Sequence, residues 1–233
     1  MLMTRSLLLA VTVPCALALT AQEIAAFKVG SATCIKDAIS TGGKELCANV
    51  AVTTSNGQHT ITTNSVPSHG KHLTGYLYRD IFRGFCLEIP EQTEKTTYAV
   101  PENPVKAASP TCVPQTAGIA LDGVQLWNQY APEKLSESGL TGDATDFVAG
   151  VDAGKGVFGE PMDPCSGHPG PMGLAYHYHK LPAHGLDWDG ICFADIREGQ
   201  PSGIVAVAVD GFPIYGPFDA TGKELTPADL DEC

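Results

Sequence analysis

Two stretches of the chain repeat one another, residue type by residue type, and they restrict the fold more than any other feature of the sequence. Each consists of an apolar strand, an Asp-Gly turn and a second short strand that ends in an aromatic residue. The two copies are Ile119-Ala-Leu-Asp-Gly-Val-Gln-Leu-Trp127 and Val207-Ala-Val-Asp-Gly-Phe-Pro-Ile-Tyr215, and an Asp-x-Cys triplet follows each, at 163–165 and at 231–233. Matched blocks in one order favour a duplication over chance agreement of two β-turn segments. We therefore expect the turns Asp122-Gly123 and Asp210-Gly211 to occupy pseudo-symmetric positions.

The rest of the pattern is also that of a β protein. Apolar and polar residues alternate over 49–64 around an Asn56-Gly57 turn, which is typical of a β-hairpin. The segment Ile204–Val209 is apolar at every position, as in a strand buried on both faces. A short helix is predicted around Cys34–Ile39. The predicted fold is all-β, mostly antiparallel, sandwich-like and loop-rich, with an internal pseudo-repeat and little helix.

Tyrosine and histidine alternate over 176–179, and this segment is the strongest candidate for a functional site. In an extended strand His177 and His179 share one face, and Tyr176 and Tyr178 share the other. Imidazoles suit zinc, copper, iron or nickel. Histidine and aspartate residues on nearby or neighbouring loops would complete the shell. The candidate metal ligands are His177, His179, His168, Asp163 and His69.

The alternative for this segment is a strand with its tyrosines packed inward and its histidines exposed and hydrogen-bonded. Two histidines are too few ligands for a metal site, so the spacing leaves both interpretations open. The metal that such ligands predict is a divalent transition metal, zinc or copper. Only neutral imidazole binds a metal, so uptake is expected to weaken below about pH 6.5.

Composition restricts the partners and the compartment. The chain holds 26 acidic and 14 basic residues, a formal net charge of −12, which argues against nucleic acid or anionic lipid as a partner. Met1–Thr20 resembles a secretory signal, with Arg5, an apolar run, and a small-residue cleavage site at Ala16-Leu17-Ala18. No later stretch is long enough to span a membrane. We predict a secreted protein with an extracellular ligand whose identity the sequence leaves unknown.

Cysteine usage agrees with export. Eight cysteines are present, one of which, Cys15, falls within the predicted signal, and no Cys-x-x-Cys pair suggests a thiolate metal site. Six of the remaining seven allow fifteen pairings, and closeness in sequence favours three of them. The favoured disulfides are Cys34–Cys47, Cys86–Cys112 and Cys165–Cys192, which leaves Cys233 without a partner.

Several motifs together resemble the YHYH-domain family of secreted proteins. They are Asp163-Pro-Cys-Ser-Gly-His168, Tyr176-His-Tyr-His179 and Asp210-Gly-Phe-Pro-Ile-Tyr-Gly-Pro217, with weaker matches at Thr63-Asn-Ser-Val-Pro-Ser-His69 and Asp122-Gly-Val124. The resemblance implies a secreted protein of this fold and assigns no reaction or catalytic residue. In that family a segment similar to Asp229–Cys233 leads into a second Tyr/His-rich strand, which this sequence lacks.

The domain organisation follows from these observations. We predict a signal peptide at 1–20, an N-terminal extension at 21–48 and a YHYH-type β domain at 49–233. The repeat lacks its second Tyr/His strand and the cysteine count is odd. The expectation is therefore that the chain is a fragment, truncated at its C-terminus, and that the native protein continues past Cys233.

Two functions remain open on the sequence. One is an extracellular metal-binding module centred on Tyr176–His179, in which an open metal position would activate water or act on oxygen. The other is a metal-free secreted structural or binding module whose histidines make hydrogen bonds. No Gly-x-Ser-x-Gly elbow, His-Glu-x-x-His helix or P-loop is present, so whether the protein is an enzyme stays open.

Overall fold

The computed structural model of the chain describes residues 18–27, 34–36, 43–68, 95–109, 115–127, 165, 167–169, 175–179, 192 and 196–229. Strand is the most common regular structure among the described residues. One α-helix, α1, spans Ala21–Ile24, and a 3₁₀ turn spans Pro227–Asp229. The strands are β1 Cys34–Lys36, β2 Glu45–Cys47, β3 Val50–Ser55, β4 Gln58–Thr63, β5 Thr96–Pro101, β6 Thr116–Ala120, β7 Gln125–Trp127, β8 Gly167–Pro169, β9 Tyr176–Tyr178, β10 Ile204–Ala208 and β11 Pro213–Tyr215.

The strands form three open sheets. β1 and β2 make a two-stranded sheet, β3-β4-β5 a three-stranded antiparallel sheet, and β11-β10-β6-β7-β9-β8 a six-stranded sheet. Every pair is antiparallel except β7 with β9, which run parallel. The predicted hairpin is confirmed as β3–β4, with Asn56 and Gly57 both at positive φ, as its two-residue turn requires.

A shared apolar cluster joins the two larger sheets face to face. It contains Ile61 and Val100 from the three-stranded sheet and Ile119 and Val207 from the six-stranded sheet, all at most 1 % exposed. Alternation along β4 explains the contribution of the smaller sheet, because every second residue from His59 to Thr63 is buried. This packing is the sandwich-like arrangement expected from the sequence.

The repeat is a local two-fold symmetry of the six-stranded sheet. Ile119 and Val207, which occupy the same position in the two copies, are direct partners across the β6–β10 pair. Both hairpins carry a register irregularity at the same place, between Thr116 and Gly118 in one copy and between Ile204 and Ala206 in the other. The internal pseudo-repeat predicted from the sequence is therefore a feature of the fold.

The turn hydrogen bonds repeat as well. Ala120 N donates to Val124 O at 2.8 Å, and Ala208 N donates to Phe212 O at 2.8 Å. The backbone C=O groups of Val124 and Phe212 therefore point inward, to β6 and β10. Because backbone polar groups alternate in direction along a strand, those of the next residue in each copy point outward, away from the hairpin. That residue is Gln125 on β7, which pairs with β9, whereas on β11 it is Pro213.

Both Asp-Gly turns press against the three-stranded sheet, at different places. Gly123 has φ +87°, and a Cβ there would lie 2.4 Å from the Thr63 hydroxyl oxygen. Gly211 has φ +94°, and a Cβ there would lie 2.5 Å from the Pro101 carbonyl oxygen. Each turn therefore requires glycine for two reasons: the backbone has positive φ, and a side chain would clash with the three-stranded sheet.

The helix predicted around Cys34–Ile39 is wrong over its described part. Residues 34–36 form β1, and Cys34 and Lys36 lie opposite Cys47 and Glu45 of β2. A disulfide joins Cys34 to Cys47 across the pair, and this cross-link outweighs the weak helical pattern of a short polar segment. The helix lies earlier in the chain, where Thr20 and Glu23 form a reciprocal capping box.

Candidate functional site

The Tyr/His strand, β9, lies within the six-stranded sheet and is buried on both faces. It pairs in parallel with β7 and antiparallel with β8. Tyr176 and Tyr178 are 0 % exposed, and His177 and His179 are 1 % and 5 % exposed. The interpretation with exposed histidines therefore does not apply, because both histidines are buried.

The two imidazoles converge as the alternation predicts. Nε2 of His177 lies 3.1 Å from Nε2 of His179, and the ring centroids are 4.9 Å apart. The Nδ1 atom of His177 lies 2.9 Å from the carbonyl oxygen of Ala175, which can only accept a hydrogen bond. Nδ1 therefore carries the proton in the neutral ring, and the lone pair of Nε2 points toward His179.

Trp127, the last residue of β7, packs against both histidines. Its ring stacks on His177 with centroids 3.5 Å apart and an interplanar angle of 17°, and it meets His179 edge-on at 6.0 Å. The parallel register, in which Leu126 lies opposite Tyr178, brings the end of β7 alongside β9. Trp127 is the site residue that the sequence analysis missed. Its place at the end of a repeat copy was visible, but nothing in the sequence paired it with β9.

The opposite face of β9 is anchored by a buried carboxylate. Asp122 is 2 % exposed and its Oδ2 accepts hydrogen bonds from the Tyr178 hydroxyl at 2.9 Å and from Ser68 N and Oγ at 3.2 and 3.3 Å. Its Oδ1 accepts from Val124 N at 3.2 Å. The first Asp-Gly turn, the Tyr/His strand and the loop that follows β4 therefore meet at one side chain.

The remaining motif residues pack around the tyrosines. Tyr176 and Tyr178 are edge-to-face at 5.5 Å and share an apolar cluster with the disulfide Cys165–Cys192. A Cβ on Gly167 would lie 2.3 Å from the Tyr176 hydroxyl oxygen, so only glycine allows β8 to approach this ring. The motif of cysteine, glycine and alternating tyrosines thus builds a core, and the histidines project from its other side.

The structure brings some of the predicted ligands together and leaves others undescribed. His177 and His179 meet, and His168 lies directly opposite His177 in the β8–β9 register. Asp163 and His69 lie outside the described residues. So do Cys86 and Cys112, so their predicted disulfide is not described, whereas both other favoured pairs are bonded.

The two turn aspartates differ in their surroundings. Asp210 is exposed, and its Oδ1 accepts a long hydrogen bond, 3.5 Å, from Phe212 N. Asp122, at the same place in the other copy, is buried in the network with Tyr178 and Ser68. Among the described residues, both copies therefore share the turn, and the buried hydrogen-bond network lies at the first copy.

A second group of metal-type donors lies on the small sheet. Atoms of Cys34, Glu45 and Cys47 lie within 4.8 Å of one another, and all three residues are exposed. Within the described ranges this is the cluster of at least three such donors that the geometry identifies. Its two sulfurs are joined in the disulfide, and a disulfide lacks the thiolate that binds metals.

Tyr98 and Asp229 have shifted pKa values. Burial raises the pKa of Tyr98 on β5 to about 12, against the smaller opposing effect of its hydrogen bond with Thr96. The side-chain hydrogen bond from Lys223, 2.7 Å long, holds the pKa of Asp229 well below its usual range, helped by bonds from Thr226. Both are local features of a strand and of a surface turn.

The chain matches the YHYH protein family over residues 97–229, which is 133 of its 233 residues. It belongs to the YHYH family. The matched range covers the Tyr/His strand, both Asp-Gly turns and the Cys165–Cys192 disulfide. No curated protein and no solved structure matches the chain. Across the part that the structure describes, no helix is long and apolar enough to cross a membrane.

Proposed function

We propose that this YHYH protein is a secreted metal-binding module whose ligands include His177 and His179. The observation that carries the proposal is the pair of buried Nε2 atoms 3.1 Å apart. Histidine ligands in metal sites commonly donate their other ring N–H to a backbone carbonyl, which fixes the tautomer and the ring orientation. The contact of His177 Nδ1 with Ala175 O has that form.

The separation of the two nitrogens is close to that of two ligands on one ion. Zinc–nitrogen bonds of about 2.0–2.1 Å at a tetrahedral angle hold two nitrogens roughly 3.3 Å apart. A small rotation of either ring would accommodate an ion between them. The donor set favours zinc or copper, because imidazole is a poor ligand for calcium or magnesium.

Further ligands would come from the loops of the family motifs. His168 is proposed as the third, supported by its register position opposite His177. Asp163 and His69 stay candidates for the remaining position on sequence grounds alone. A site with three protein ligands and an open position would hold a water molecule and lower its pKa, so hydrolysis or oxygen chemistry is compatible with it. We assign no reaction.

A metal-free structural or binding module is the second candidate. A distance of 3.1 Å is also that of an ordinary hydrogen bond, in which the Nε2–H tautomer of His179 would donate to His177. The Asp122 network favours this candidate, because it ties three motifs into the fold without an ion. The two candidates differ in one measurable quantity, the metal content of the folded protein.

The test is elemental analysis of the protein after expression with zinc or copper supplied. We expect about one equivalent per chain, and its loss in His177→Ala combined with His179→Ala. Tyr176→Phe is the matched control, since it lies on the same strand with its side chain on the other face. Full metal content in the double variant, or none in the parent protein, would refute the proposal. Far-UV circular dichroism of each variant separates loss of metal from loss of fold.

Trp127 provides an independent readout of the same site. Its ring lies 3.5 Å from that of His177, so copper bound there is expected to quench its fluorescence. The chain holds one other tryptophan, Trp188, which Trp188→Phe removes from the signal. Quenching that persists after replacement of both histidines would count against binding at this place.

Secretion is part of the proposal, and the packing of residues 19 and 20 supports a signal peptide that ends at Ala18. The predicted signal, 1–20, includes Leu19, which is 9 % exposed and belongs to the apolar cluster shared by the two larger sheets, and Thr20, which caps α1. Cleavage after Ala18 removes the leader and keeps both, and Ala16-Leu17-Ala18 supplies the small residues that such cleavage requires. Mass spectrometry of protein secreted by a host cell is expected to give Leu19 as the first residue. The boundaries at 21–48 and 49–233 stay predictions.

A further inference from the structure

We propose that Cys34, Glu45 and Cys47 form a second, redox-gated metal site, which opens when a dithiol reduces the disulfide between the two cysteines. In the oxidised protein the cross-link holds β1 against β2. In the reduced protein two thiolates and one carboxylate face a common point and take up a soft or borderline cation such as Zn²⁺ or Cd²⁺. This site is separate from the histidine pair and does not depend on it.

The backbone places the three donors on one face. Cys34 lies directly opposite Cys47 in the antiparallel pair, with the two Cα atoms 3.9 Å apart. Glu45 precedes Cys47 by two residues on β2, so alternation puts both on the same side of the strand. Leu46 between them is 6 % exposed and packs into the cluster that contains the tyrosines. The three donors therefore lie on the exposed face of β1–β2, and Leu46 anchors the opposite face in the core.

The exposure of the site separates it from the other disulfide. Cys34, Glu45 and Cys47 are all exposed, whereas Cys165 is 0 % and Cys192 4 % exposed. Thiol–disulfide exchange requires the attacking thiolate to reach a sulfur atom, so access controls which bond is reduced. A dithiol in solution reaches the Cys34–Cys47 bond and is kept from the buried one. The Cys34–Cys47 bond is therefore expected to be reduced selectively, because the Cys165–Cys192 bond is buried.

The chemistry balances with a dithiol as the named reductant. The disulfide gains two electrons and two protons and becomes two thiols, and the dithiol is oxidised to its own disulfide. Metal binding then displaces the two thiol protons. Zinc–sulfur bonds of about 2.3 Å at a tetrahedral angle need the sulfurs roughly 3.8 Å apart. Rotation of the two cysteine side chains supplies this separation and needs no displacement of the strands.

The donor set selects the cation. Thiolates favour zinc, cadmium and cuprous ions over calcium and magnesium, which prefer oxygen ligands. Glu45 adds a third bond, and water completes the tetrahedron at a surface position. Exchange with a small-molecule disulfide, which takes up the two electrons and leaves as two thiols, re-forms the Cys34–Cys47 bond, removes two of the three protein ligands and releases the ion. Occupancy therefore follows the redox state.

The experiment uses the full chain treated with dithiothreitol under anaerobic conditions in the presence of a chelator. Alkylation and mass spectrometry then show which cysteines became thiols, and after removal of the reagents the protein is titrated with Cd²⁺. Cadmium–thiolate bonds absorb in the ultraviolet, and imidazole ligands give no such band. We expect the reduced protein to bind one more equivalent, by this band, than the oxidised protein does.

Two variants make the result specific. Cys34→Ser combined with Cys47→Ser gives the background from all other cysteines, and the additional equivalent is expected to be missing from it. Glu45→Gln keeps both sulfurs and is expected to weaken binding at least about tenfold, as removal of groups around metals commonly does. Equal uptake by the reduced parent and the double variant would overturn the proposal. So would failure of dithiothreitol to open this bond in the folded chain, or unchanged affinity in Glu45→Gln, which folds with its disulfide intact.

Discussion

Replacing Asp122 by asparagine tests whether the Tyr/His strand depends on the first Asp-Gly turn. The substitution keeps the size of the side chain and replaces one acceptor oxygen by a donor. Oδ2 of Asp122 accepts from the Tyr178 hydroxyl and from Ser68 at 2.9–3.3 Å, so these donors would face an NH₂ group or a neutral oxygen. Hydrogen bonds to a charged group contribute about 1.5–3 kcal/mol each, and a buried unsatisfied donor costs about 1–3 kcal/mol.

The repeat offers a matched control at Asp210. This residue occupies the equivalent turn, before a glycine of similar positive φ, but it is exposed and accepts a long hydrogen bond, 3.5 Å, from Phe212 N. We expect Asp122→Asn to lower the free energy of unfolding by about 3 kcal/mol and Asp210→Asn by less than about 0.5 kcal/mol. For a chain of this size 3 kcal/mol corresponds to a melting temperature about 6–12 °C lower.

The assay is urea denaturation of the oxidised protein at neutral pH, followed by circular dichroism. Tyr178→Phe removes one donor of the same network, and in a double-mutant cycle with Asp122→Asn its effect should be strongly non-additive. A loss below about 1 kcal/mol for Asp122→Asn would refute the reasoning. Equal losses at Asp122 and Asp210 would refute it too, because the turn alone would then account for both.

Three further outcomes follow from contacts in the sandwich. His59 is 1 % exposed with Nε2 unbonded and Nδ1 2.8 Å from the Thr54 hydroxyl, so Thr54→Val should destabilise by about 1–2 kcal/mol, and adding His59→Leu should recover most of the loss in the same urea assay. The pKa of Tyr98 is raised to about 12, so the folded protein holds this proton more tightly than the unfolded chain. The resulting stability is complete below pH 10 and is lost as pH rises from 10 to about 12, and Tyr98→Phe should flatten that part of the stability curve. Gly211→Ala should cost at least about 2 kcal/mol through positive φ and a backbone clash, whereas Gly203→Ala, with open space around it, should change stability by less than about 1 kcal/mol by thermal denaturation.

Local patterns predicted the parts of the fold that are set by neighbours in sequence. The Asn56-Gly57 hairpin, the buried strand 204–208 and the equivalence of the two Asp-Gly turns follow from alternation, turn chemistry and self-similarity. The convergence of His177 and His179 is of the same kind, because two residues of spacing on a strand fix a common face. The short helix predicted around Cys34–Ile39 is wrong over residues 34–36, because so short a segment carries little helix propensity and the disulfide decides its conformation.

The rest of the site depends on contacts between distant segments. Asp122 meets Ser68 and Tyr178 across 54 and 56 residues of sequence, and no periodicity encodes such a meeting. The burial of both histidines is likewise not encoded locally. Alternation assigns residues to the two faces of a strand but does not determine whether another element covers each face. Trp127 covers His177 through the parallel pairing of β7 with β9, and a parallel pair needs a long crossover that leaves no local signal.

Pro213 makes the two outer edges of the two-fold hairpin pair unequal in their ability to pair with a further strand. Its counterpart Gln125 turns its backbone to the outside of the hairpin, where β9 pairs with it. At Pro213 the same outward position has no N–H, so a strand added there would find an acceptor without its donor. Among the described strands β11 ends the six-stranded sheet, so pairing of another chain along this edge is disfavoured. One proline in one copy of the repeat thus weakens, at β11, the kind of backbone pairing by which β9 joins β7 in the other copy.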